Sequence, residues 1–368
     1  MRYFQISIFF TVAYFAFACT SAKQDDGDLS SGECEIRKMP TKTIAFVDSV
    51  DFINLEECEG NQFSAVSKIL CDDDHVYLFD RLGSGLVIAY DHSGKFCFNV
   101  GARGRAQNEY VKAWDFDVTD ESVIVYDRVG KKLVWYDKSG VFQRMGSLSC
   151  ILQGFKAVSG DRIIAAMAMN DERRELCILD SALNICETLL SFHERKTKDD
   201  KVTDFILQET RGALLYNRPI SNTIYEFSKD GQLRHTYNFD FWGNNAPSEL
   251  AASYASFVQE GGKKKYVYMP DCPFRIGGTF VGVISIEGRR GTFAYNVESK
   301  DCRFDEWCDK ATLSNIILPV GVHGNCIYGW IDSSVLSIME NSDGLPESSV
   351  KHVQNGGKVL IRYHCMGL

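Results

Sequence analysis

The chain has 368 residues, 45% of them hydrophobic and 12% aromatic, and its formal net charge is -9. This is the composition of a globular protein with enough apolar material for a large core, and the length indicates either two domains or one body built from repeats. The acidic balance argues against a nucleic-acid partner, because binding to a phosphate backbone requires a basic face.

The N-terminus has the pattern of an export signal, so residues 1–18 are predicted to be a signal peptide. The uncharged run "ISIFFTVAYFAFA" (residues 6–18) is too short to span a bilayer as a helix. Its end, Ala-Phe-Ala before Cys19, fits ordinary signal cleavage and also resembles a bacterial lipoprotein box, although Leu is usual where Ala16 stands. We favour lipidation of Cys19, because the cysteine falls where the box requires it; an acylated N-terminus anchors a protein without spanning the membrane.

Residues 19–40 are predicted to be an acidic, disordered tether, because "TSAKQDDGDLSSGE" (residues 20–33) is polar and poor in large apolar side chains. The early "KQDDGD" resembles the acidic run after the lipid cysteine in surface-exported lipoproteins of Bacteroidetes, and a solvated linker explains it equally well. We therefore expect an exported protein, lipid-anchored at the outer membrane and either periplasmic or surface-exposed, whose only membrane contact is the anchor.

Residues 41–368 contain a repeat that predicts an all-β fold. "VYLFDRLGSGLVIAYDHSG" (residues 76–94) and "VIVYDRVGKKLVWYDKSG" (residues 123–140) share short apolar runs, an Asp-Arg pair and a Tyr-Asp-x-Ser-Gly ending. Weaker copies follow, and the six units begin near Val76, Val123, Arg162, Ala213, Thr279 and Asn325. A period of this length, with about four short strands in each unit, is typical of a β-propeller, here with six four-stranded blades.

The ring is expected to close by pairing an N-terminal strand with the C-terminal strand. The candidates are "KTIAFV" (residues 42–47) and "KVLIRYH" (residues 358–364), and "SSVLSIMENS" (residues 333–342) predicts a short helix inside the last blade. Residues 246–265 form an insertion with helical spacing, which Ser248 can cap. It is either a lid or docking helix or a passive packing insert.

The Tyr-x-x-Asp-Arg … Tyr-Asp-x-x-Gly-Lys-Phe unit and the following "VGARGRAQNEY" (residues 100–110) resemble the six-bladed propeller lipoproteins of Bacteroidetes, relatives of NHL-like and TolB-like propellers. In that family the inter-blade segment usually reads Gly-x-x-Gly-x-Gly-Pro-Gly-Glu-Tyr. This chain keeps the first two glycines and Glu-Tyr, but Ala106, Gln107 and Asn108 replace Gly-Pro-Gly. The resemblance implies the fold and a place in the cell envelope, and it implies little about activity.

Five of the six units place an arginine shortly after an acid or amide, in the turn between the second and third strands: Arg81, Arg128, Arg173, Arg218 and Arg289. Propeller geometry puts the inter-blade loop that carries Arg103 and Glu109 at the same end. These residues either brace their own loops through ion pairs or form a face that binds an anionic or carbonyl-rich ligand, since the planar guanidinium suits carboxylates.

The sequence gives little support to catalysis. The seven histidines show no metal-binding spacing, no nucleophile elbow is present, and no metal site is expected among the cysteines. Cys177 and Cys186 flank a hairpin turn symmetrically, so a disulfide between them is possible if they form a close cross-strand pair.

We therefore expect a monomeric, non-catalytic binding module of the cell envelope that needs no cofactor. Its partner would be an envelope protein, a glycan or another anionic ligand, bound at the end that carries the arginines. The alternative is a metal-dependent hydrolase, lactonase or lyase that uses the central channel, where calcium is the candidate metal. A purely structural envelope protein is a third interpretation.

Overall fold

The computed structural model describes residues 30–36, 47–158, 161–192, 205–210, 212–251, 253–306, 319–338 and 344–365. The predicted signal peptide and Cys19 lie outside the described residues. None of the helices within these ranges is long and apolar enough to cross a membrane.

The described strands build six sheets that follow one another along the chain. Two N-terminal strands come first, β1 (Ser30–Ile36) and β2 (Val47–Asn54). The first blade contains β3 (Lys68–Cys71), β4 (His75–Phe79), β5 (Val87–Asp91) and β6 (Phe96–Asn99). A short pair, β7 (Ala102–Arg103) and β8 (Glu109–Tyr110), lies in the segment that leads to the next blade.

The second and third blades have the same meander of four antiparallel strands. The second contains β9 (Ala113–Val118), β10 (Val123–Asp127), β11 (Lys132–Tyr136) and β12 (Phe142–Ser147). The third contains β13 (Leu152–Val158), β14 (Arg162–Met167), β15 (Arg174–Leu179) and β16 (Ile185–Ser191).

The fourth and fifth blades are separated by the insertion. The fourth contains β17 (Leu207–Thr210), β18 (Ala213–Asn217), β19 (Thr223–Ser228) and β20 (Leu233–Phe241). The insertion folds as three short helices, α1 (Ser248–Ala251), α2 (Tyr254–Gln259) and α3 (Gly262–Lys265). The fifth blade contains β21 (Val267–Tyr268), β22 (Phe274–Ile276), β23 (Thr279–Ile286), β24 (Arg289–Asn296) and β25 (Cys302–Glu306).

The sixth blade joins the two ends of the chain. It contains β26 (Gly321–His323), β27 (Cys326–Ile331) and β28 (Val359–Cys365), with α4 (Ser333–Ile338) and α5 (Glu347–Gln354) between the last two. The predicted helix in the last blade is thus present as α4, and α5 follows it. Strand β2 pairs antiparallel with β28 as the outermost strand, which confirms the predicted closure. The closing strand was placed wrongly, however: it occupies Val47–Asn54 rather than residues 42–47.

The predicted six-bladed propeller is confirmed. In the fifth blade, β21 and β22 both pair with β23 and together take the place of the first strand. The second strands of the six blades begin within one residue of the six predicted starts; they are β4, β10, β14, β18, β23 and β27. The first strand of each blade is innermost, and contacts between these strands run from β26 through β3, β9, β13 and β17 to β22. Each blade can then bury both of its faces against its neighbours.

The predicted disorder of residues 19–40 is wrong for Ser30–Ile36, which form a strand parallel to β20 on the outside of the fourth blade. Cys34 and Ile36 are buried among Phe239 and Phe241, while Glu33 faces solvent. The segment is polar overall, but an edge strand needs an apolar residue only at alternate positions, and the free edge of β20 supplies the backbone partners.

The insertion is helical as predicted, but it is divided into short pieces. Phe257 of α2 is buried against Ile220 and Tyr268. The side chain of Ser253, rather than that of Ser248, caps α2 by accepting from the backbone N–H of Ser256.

The antiparallel meander gives the propeller two different ends. The arginine face, as we call it, carries the connections between second and third strands (residues 80–86, 128–131, 168–173, 218–222 and 287–288) and the inter-blade segments. The turn face carries the tight turns that join first to second strands and third to fourth strands. Strand β1 begins at the turn face, because Ser30 pairs with His235 near the start of β20.

Candidate functional site

Two β-bulges lie in neighbouring inner strands at their arginine-face ends. The register between β9 and β10 skips Trp114, and the register between β13 and β14 skips Gln153. A bulge re-aims the extra side chain out of the regular alternation, and bulges are common beside functional sites. The Trp114 indole N–H donates to the backbone carbonyl of Gln153 at 3.2 Å, which ties the two bulges together.

Two of the predicted arginines meet at this point. The guanidinium carbon of Arg128 lies 4.1 Å from the ring centroid of Trp114, and that of Arg81 lies 5.5 Å from it. Arg81 is only 6% exposed, whereas Arg128 is half-buried. Stacking on an indole fixes the plane of a guanidinium group and leaves its edge available for hydrogen bonds.

The acid of each Asp-Arg pair holds the loop that carries its arginine. Asp80 accepts backbone N–H groups of Ser64 at 2.9 Å, Gly83 at 2.8 Å and Ser84 at 2.8 Å. Burial alone raises the pKa of Asp80, but these N–H donors outweigh burial and hold the pKa below its usual value. The carboxylate therefore fixes the backbone on either side of Arg81.

Asp127 does the same for the next loop. Its carboxylate accepts the backbone N–H groups of Val111 at 2.9 Å, Val129 at 3.1 Å and Gly130 at 3.0 Å. These bonds span Arg128, so the position of its side chain is set by the loop as well as by Trp114.

The Trp114 cluster, defined as Arg81, Trp114, Arg128 and Gln153, contains donors without acceptors. Within the described residues, the Nη1 atom of Arg128 and the Nε2 atom of Gln153 are buried and have no hydrogen-bond partner. Gln153 is 7% exposed. Leaving a buried donor unpaired costs about 1–3 kcal/mol, so these two N–H groups favour an acceptor, which a ligand can supply.

Two further predicted arginines are engaged in ion pairs. Arg218 donates from Nε to Glu175 at 2.7 Å, and Glu175 also accepts the hydroxyl of Tyr216 at 2.8 Å. Arg289 donates to Glu306 at 2.8 Å on the exposed surface of the fifth blade. Arg218 thus joins the fourth blade to the third, and Arg289 joins two adjacent strands of the fifth blade.

The other predicted residues lie on the arginine face outside the cluster. Arg103 donates to the carbonyl of Ser84 at 2.9 Å, and Glu109 accepts the N–H of Ala106 at 2.9 Å within the inter-blade loop. Arg173 is exposed, with a positive φ of 56° in its turn. The structure therefore gathers Arg81 and Arg128 at one ring and leaves the remaining predicted residues apart.

The condition for a disulfide between Cys177 and Cys186, a close cross-strand pair, is not met. Cys177 pairs across the hairpin with Thr188, because the register of β15 and β16 opposes Leu179 to Ile185 and then skips Cys186. Both thiols are free, and Cys186 donates to the carbonyl of Ile178 at 3.4 Å.

The central channel carries buried ion pairs that the sequence analysis did not identify. Lys68 of β3 donates to Asp115 of β9 at 2.7 Å, and Lys156 of β13 donates to Asp117 of β9 at 2.5 Å. Burial lowers the pKa of Lys68, against the opposing effect of Asp115. The two acids are neutralised by lysines, and no group of three or more His, Cys, Asp or Glu within the described ranges could hold a metal ion.

The turn-face end of the channel opens into a cavity of about 400 Å³. The cavity is lined by the ends of inner strands, and Arg275 at its wall pairs with Glu226 at 2.6 Å. Gln208 is 3% exposed, and its Nε2 atom has no hydrogen-bond partner among the residues described. The charge of Arg275 at this cavity is balanced by Glu226, whereas the opposite end of the channel carries Arg81 and Arg128 beside Trp114.

Known structures share the propeller. A Bacteroides fragilis protein described as exported aligns with a TM-score of 0.73 over 91% of this chain and 99% of its own, at 12% identity. A member of the DUF4221 family from Bacteroides vulgatus aligns with a TM-score of 0.53 over 86% and 96%, at 8% identity. At these identities the likeness shows the fold alone. No curated protein matches the chain in sequence, while the family described as "Domain of unknown function (DUF4934)" matches residues 33–351.

Proposed function

We propose a binding function for this chain, which belongs to the DUF4934 family: it is an exported envelope protein that binds an anionic ligand at the Trp114 cluster of the arginine face. The observation that carries the proposal is the convergence of two stacked or buried arginines and an unpaired amide donor at two bulges of the inner strands. Bulges are common beside functional sites and buried donors are normally paired, so their combination at the arginine-face ends of two inner strands favours a ligand site.

The chemistry of the cluster selects the ligand class. Arg128 and Gln153 offer N–H donors, and a guanidinium stacked on indole suits a planar carboxylate or a sulfate. The ligand is therefore an acid that reaches the cluster with its anionic group.

The same proposal includes a lipid anchor at Cys19, placed at the outer membrane by the acidic tether. Strand β1 begins at the turn face, because its first residue, Ser30, lies there. The anchor therefore joins the propeller at the end opposite the Trp114 cluster.

The test is a titration by calorimetry of residues 20–368, the chain without its predicted signal peptide and without Cys19. The probes are oligogalacturonate and chondroitin sulfate as acidic glycans and dextran as the neutral control. We expect an acidic glycan to bind and dextran not to bind. Arg128→Ala should weaken binding about tenfold or more, because it removes a charge-assisted hydrogen bond.

Arg289→Ala is the matched control, since Arg289 lies on the same face but is paired with Glu306 outside the cluster. It should change the dissociation constant by less than about twofold. Failure of both acidic glycans to bind, or equal losses in Arg128→Ala and Arg289→Ala, would contradict the proposal.

A further inference from the structure

A cysteine, a histidine and an aspartate lie in series across three strands of the sixth blade. Cys326, the first residue of β27, is the cross-strand partner of His364 in β28. The Cys326 Sγ atom lies 3.4 Å from Nδ1 of His364, and Nε2 of His364 lies 2.7 Å from Oδ2 of Asp51 in β2. These three residues lie at the turn face, away from the Trp114 cluster.

The carboxylate of Asp51 determines which nitrogen of His364 carries the proton. Hydrogen bonds from His364 and Arg362 lower the pKa of Asp51, so the group is ionised and can only accept. It accepts Nε2–H of His364, which leaves the Nδ1 lone pair directed at the thiol. Arg362 donates to the same Oδ2 atom at 3.0 Å from Nε and 2.6 Å from Nη2, which holds the carboxylate in place.

The resting form of Cys326 is the thiol, because burial raises its pKa. A thiol at neutral pH needs a base to become a nucleophile, and Nδ1 of His364 is within reach to serve as one. The side chains of His364 and Asp51 are 37% and 43% exposed, so the group is open to a reagent from solvent.

Other thiols of the chain have different surroundings. Cys97 is exposed and Cys186 is exposed, and each donates to a backbone carbonyl, that of Lys95 for Cys97 and that of Ile178 for Cys186. Neither of these contacts can remove a proton. Cys326 is within hydrogen-bond distance of His364, and Asp51 orients that histidine. Enzymes that use a cysteine nucleophile have the same arrangement of thiol, base and acid.

We propose that Cys326 is a base-assisted nucleophile that accepts an acyl group from an activated ester, with His364 as its general base and Asp51 as the positioning residue. Sγ attacks the carbonyl carbon and forms the S–C bond, while the thiol proton passes to Nδ1 of His364. Collapse of the intermediate breaks the C–O bond and returns that proton to the departing oxygen. The products are a thioester on Cys326 and a free alcohol.

Water completes the cycle. Nδ1 of His364 takes a proton from a water molecule that attacks the thioester carbon, the C–S bond breaks, and the proton returns to sulfur. The products of this second step are a carboxylic acid and the original thiol, so no oxidant or reductant is required.

The test uses p-nitrophenyl acetate as the acyl donor. The released p-nitrophenolate gives the total rate of acylation, and mass spectrometry of samples quenched with acid at early times locates the acetylated residues before hydrolysis removes the acyl group. Cys97 in the same molecule is the internal control, since it is an exposed thiol without a histidine partner. We expect Cys326 to acetylate at least about tenfold faster than Cys97, although Cys326 is less exposed. His364→Gln should lower the Cys326 rate about 100-fold and leave the Cys97 rate unchanged, which is the range for loss of a general base.

Asp51→Asn is the second variant, and it should lower the Cys326 rate at least about tenfold by releasing the orientation of His364. Cys177, which is fully buried, reports folding because it stays unmodified in an intact propeller. Acetylation of Cys326 no faster than that of Cys97 in the unaltered protein overturns the proposal without any variant. A folded His364→Gln protein that keeps the Cys326 rate also overturns it.

Discussion

The two side chains of the repeated Asp-Arg pair make different contacts. The acid is buried and collects backbone N–H groups of its loop, as Asp80 and Asp127 show, while the arginine reaches the inner strand of the second blade. The conformation of the loop is therefore fixed by one residue and the stacking on Trp114 is made by the next. A repeat that looks structural in sequence serves both the fold and the proposed site.

The buried carboxylate of Asp80 predicts a dependence of stability on pH. Its pKa is lower in the folded protein than in the unfolded chain, so its contribution is complete above about pH 4 and is lost as the pH falls toward the folded value. We expect Asp80→Asn to lower the free energy of unfolding at neutral pH by about 1–3 kcal/mol. The difference from the unaltered protein should shrink as the pH falls from about 5 to 2 in thermal melts. A constant difference across that range would show that the ionised carboxylate is not the source.

The ion pairs of the channel predict a contrast between two lysines. Lys156 and Asp117 are 3% and 2% exposed, whereas Lys229 and Glu209 are 45% and 38% exposed. Lys156→Met leaves a buried acid unpaired and should lower the free energy of unfolding by about 3–5 kcal/mol. Lys229→Met should change it by less than about 1 kcal/mol in the same urea titrations. Similar losses in the two variants would contradict this account of the channel.

At the scale of the element, the repeated strands were the easiest features to predict, and the irregularities within single strands were the hardest. The second strands were predictable because each is an apolar run that ends in a turn, and the copies reinforce one another. The bulges at Trp114 and Gln153 could not be predicted, because one extra residue in a strand leaves no pattern in the sequence.

Long-range pairing explains the other differences. Strand β1 was predicted as tether because its partner, β20, lies about two hundred residues further along the chain, and nothing local marks the match. The sequence did not predict the contact of Cys326, His364 and Asp51 for the same reason. Asp51 joins the sixth blade only because β2 pairs with β28 when the ring closes. Two of the four residues of the Trp114 cluster, Arg81 and Arg128, were predicted from the sequence. The other two, Trp114 and Gln153, were not.

Strand β1 is the fifth strand of the fourth blade, so we expect it to contribute to the free energy of unfolding. Ile36 is 5% exposed and packs with Phe239 and Phe241. Ile36→Ala should lower the free energy of unfolding by about 2 kcal/mol, at the lower end for a core position because an edge strand can relax. Glu33→Ala, at an exposed position of the same strand, should change it by less than about 0.5 kcal/mol. Equal effects in denaturant titrations would mean that β1 does not pack as described.

At the scale of the whole molecule, closure of the ring and the position of β1 give the propeller a direction. The chain enters at the turn face, and the connections that carry the arginines leave from the other end. A lipid at Cys19 would therefore be connected to the end of the propeller that carries the cavity and Cys326, opposite the Trp114 cluster.

The proposed anchor is tested by Cys19→Ser in cells that make the full-length protein. We expect the unaltered protein in the membrane fraction, with an N-terminal cysteine that carries acyl chains by mass spectrometry. The variant should be lost from the membrane fraction, because a serine at position 19 has no thiol to carry the acyl chain. An unaltered protein that is already soluble, with cleavage before an unmodified Cys19, would show ordinary secretion instead.

The location of a bound acid tests the central claim most directly. We would determine crystal structures of residues 20–368 soaked with the acidic glycan that binds best. We expect a carboxylate or sulfate oxygen within hydrogen-bond distance of Arg128 Nη1 and Gln153 Nε2, the unpaired donors of the Trp114 cluster. Ligand density in the turn-face cavity beside Gln208, with the Trp114 cluster empty, would contradict it.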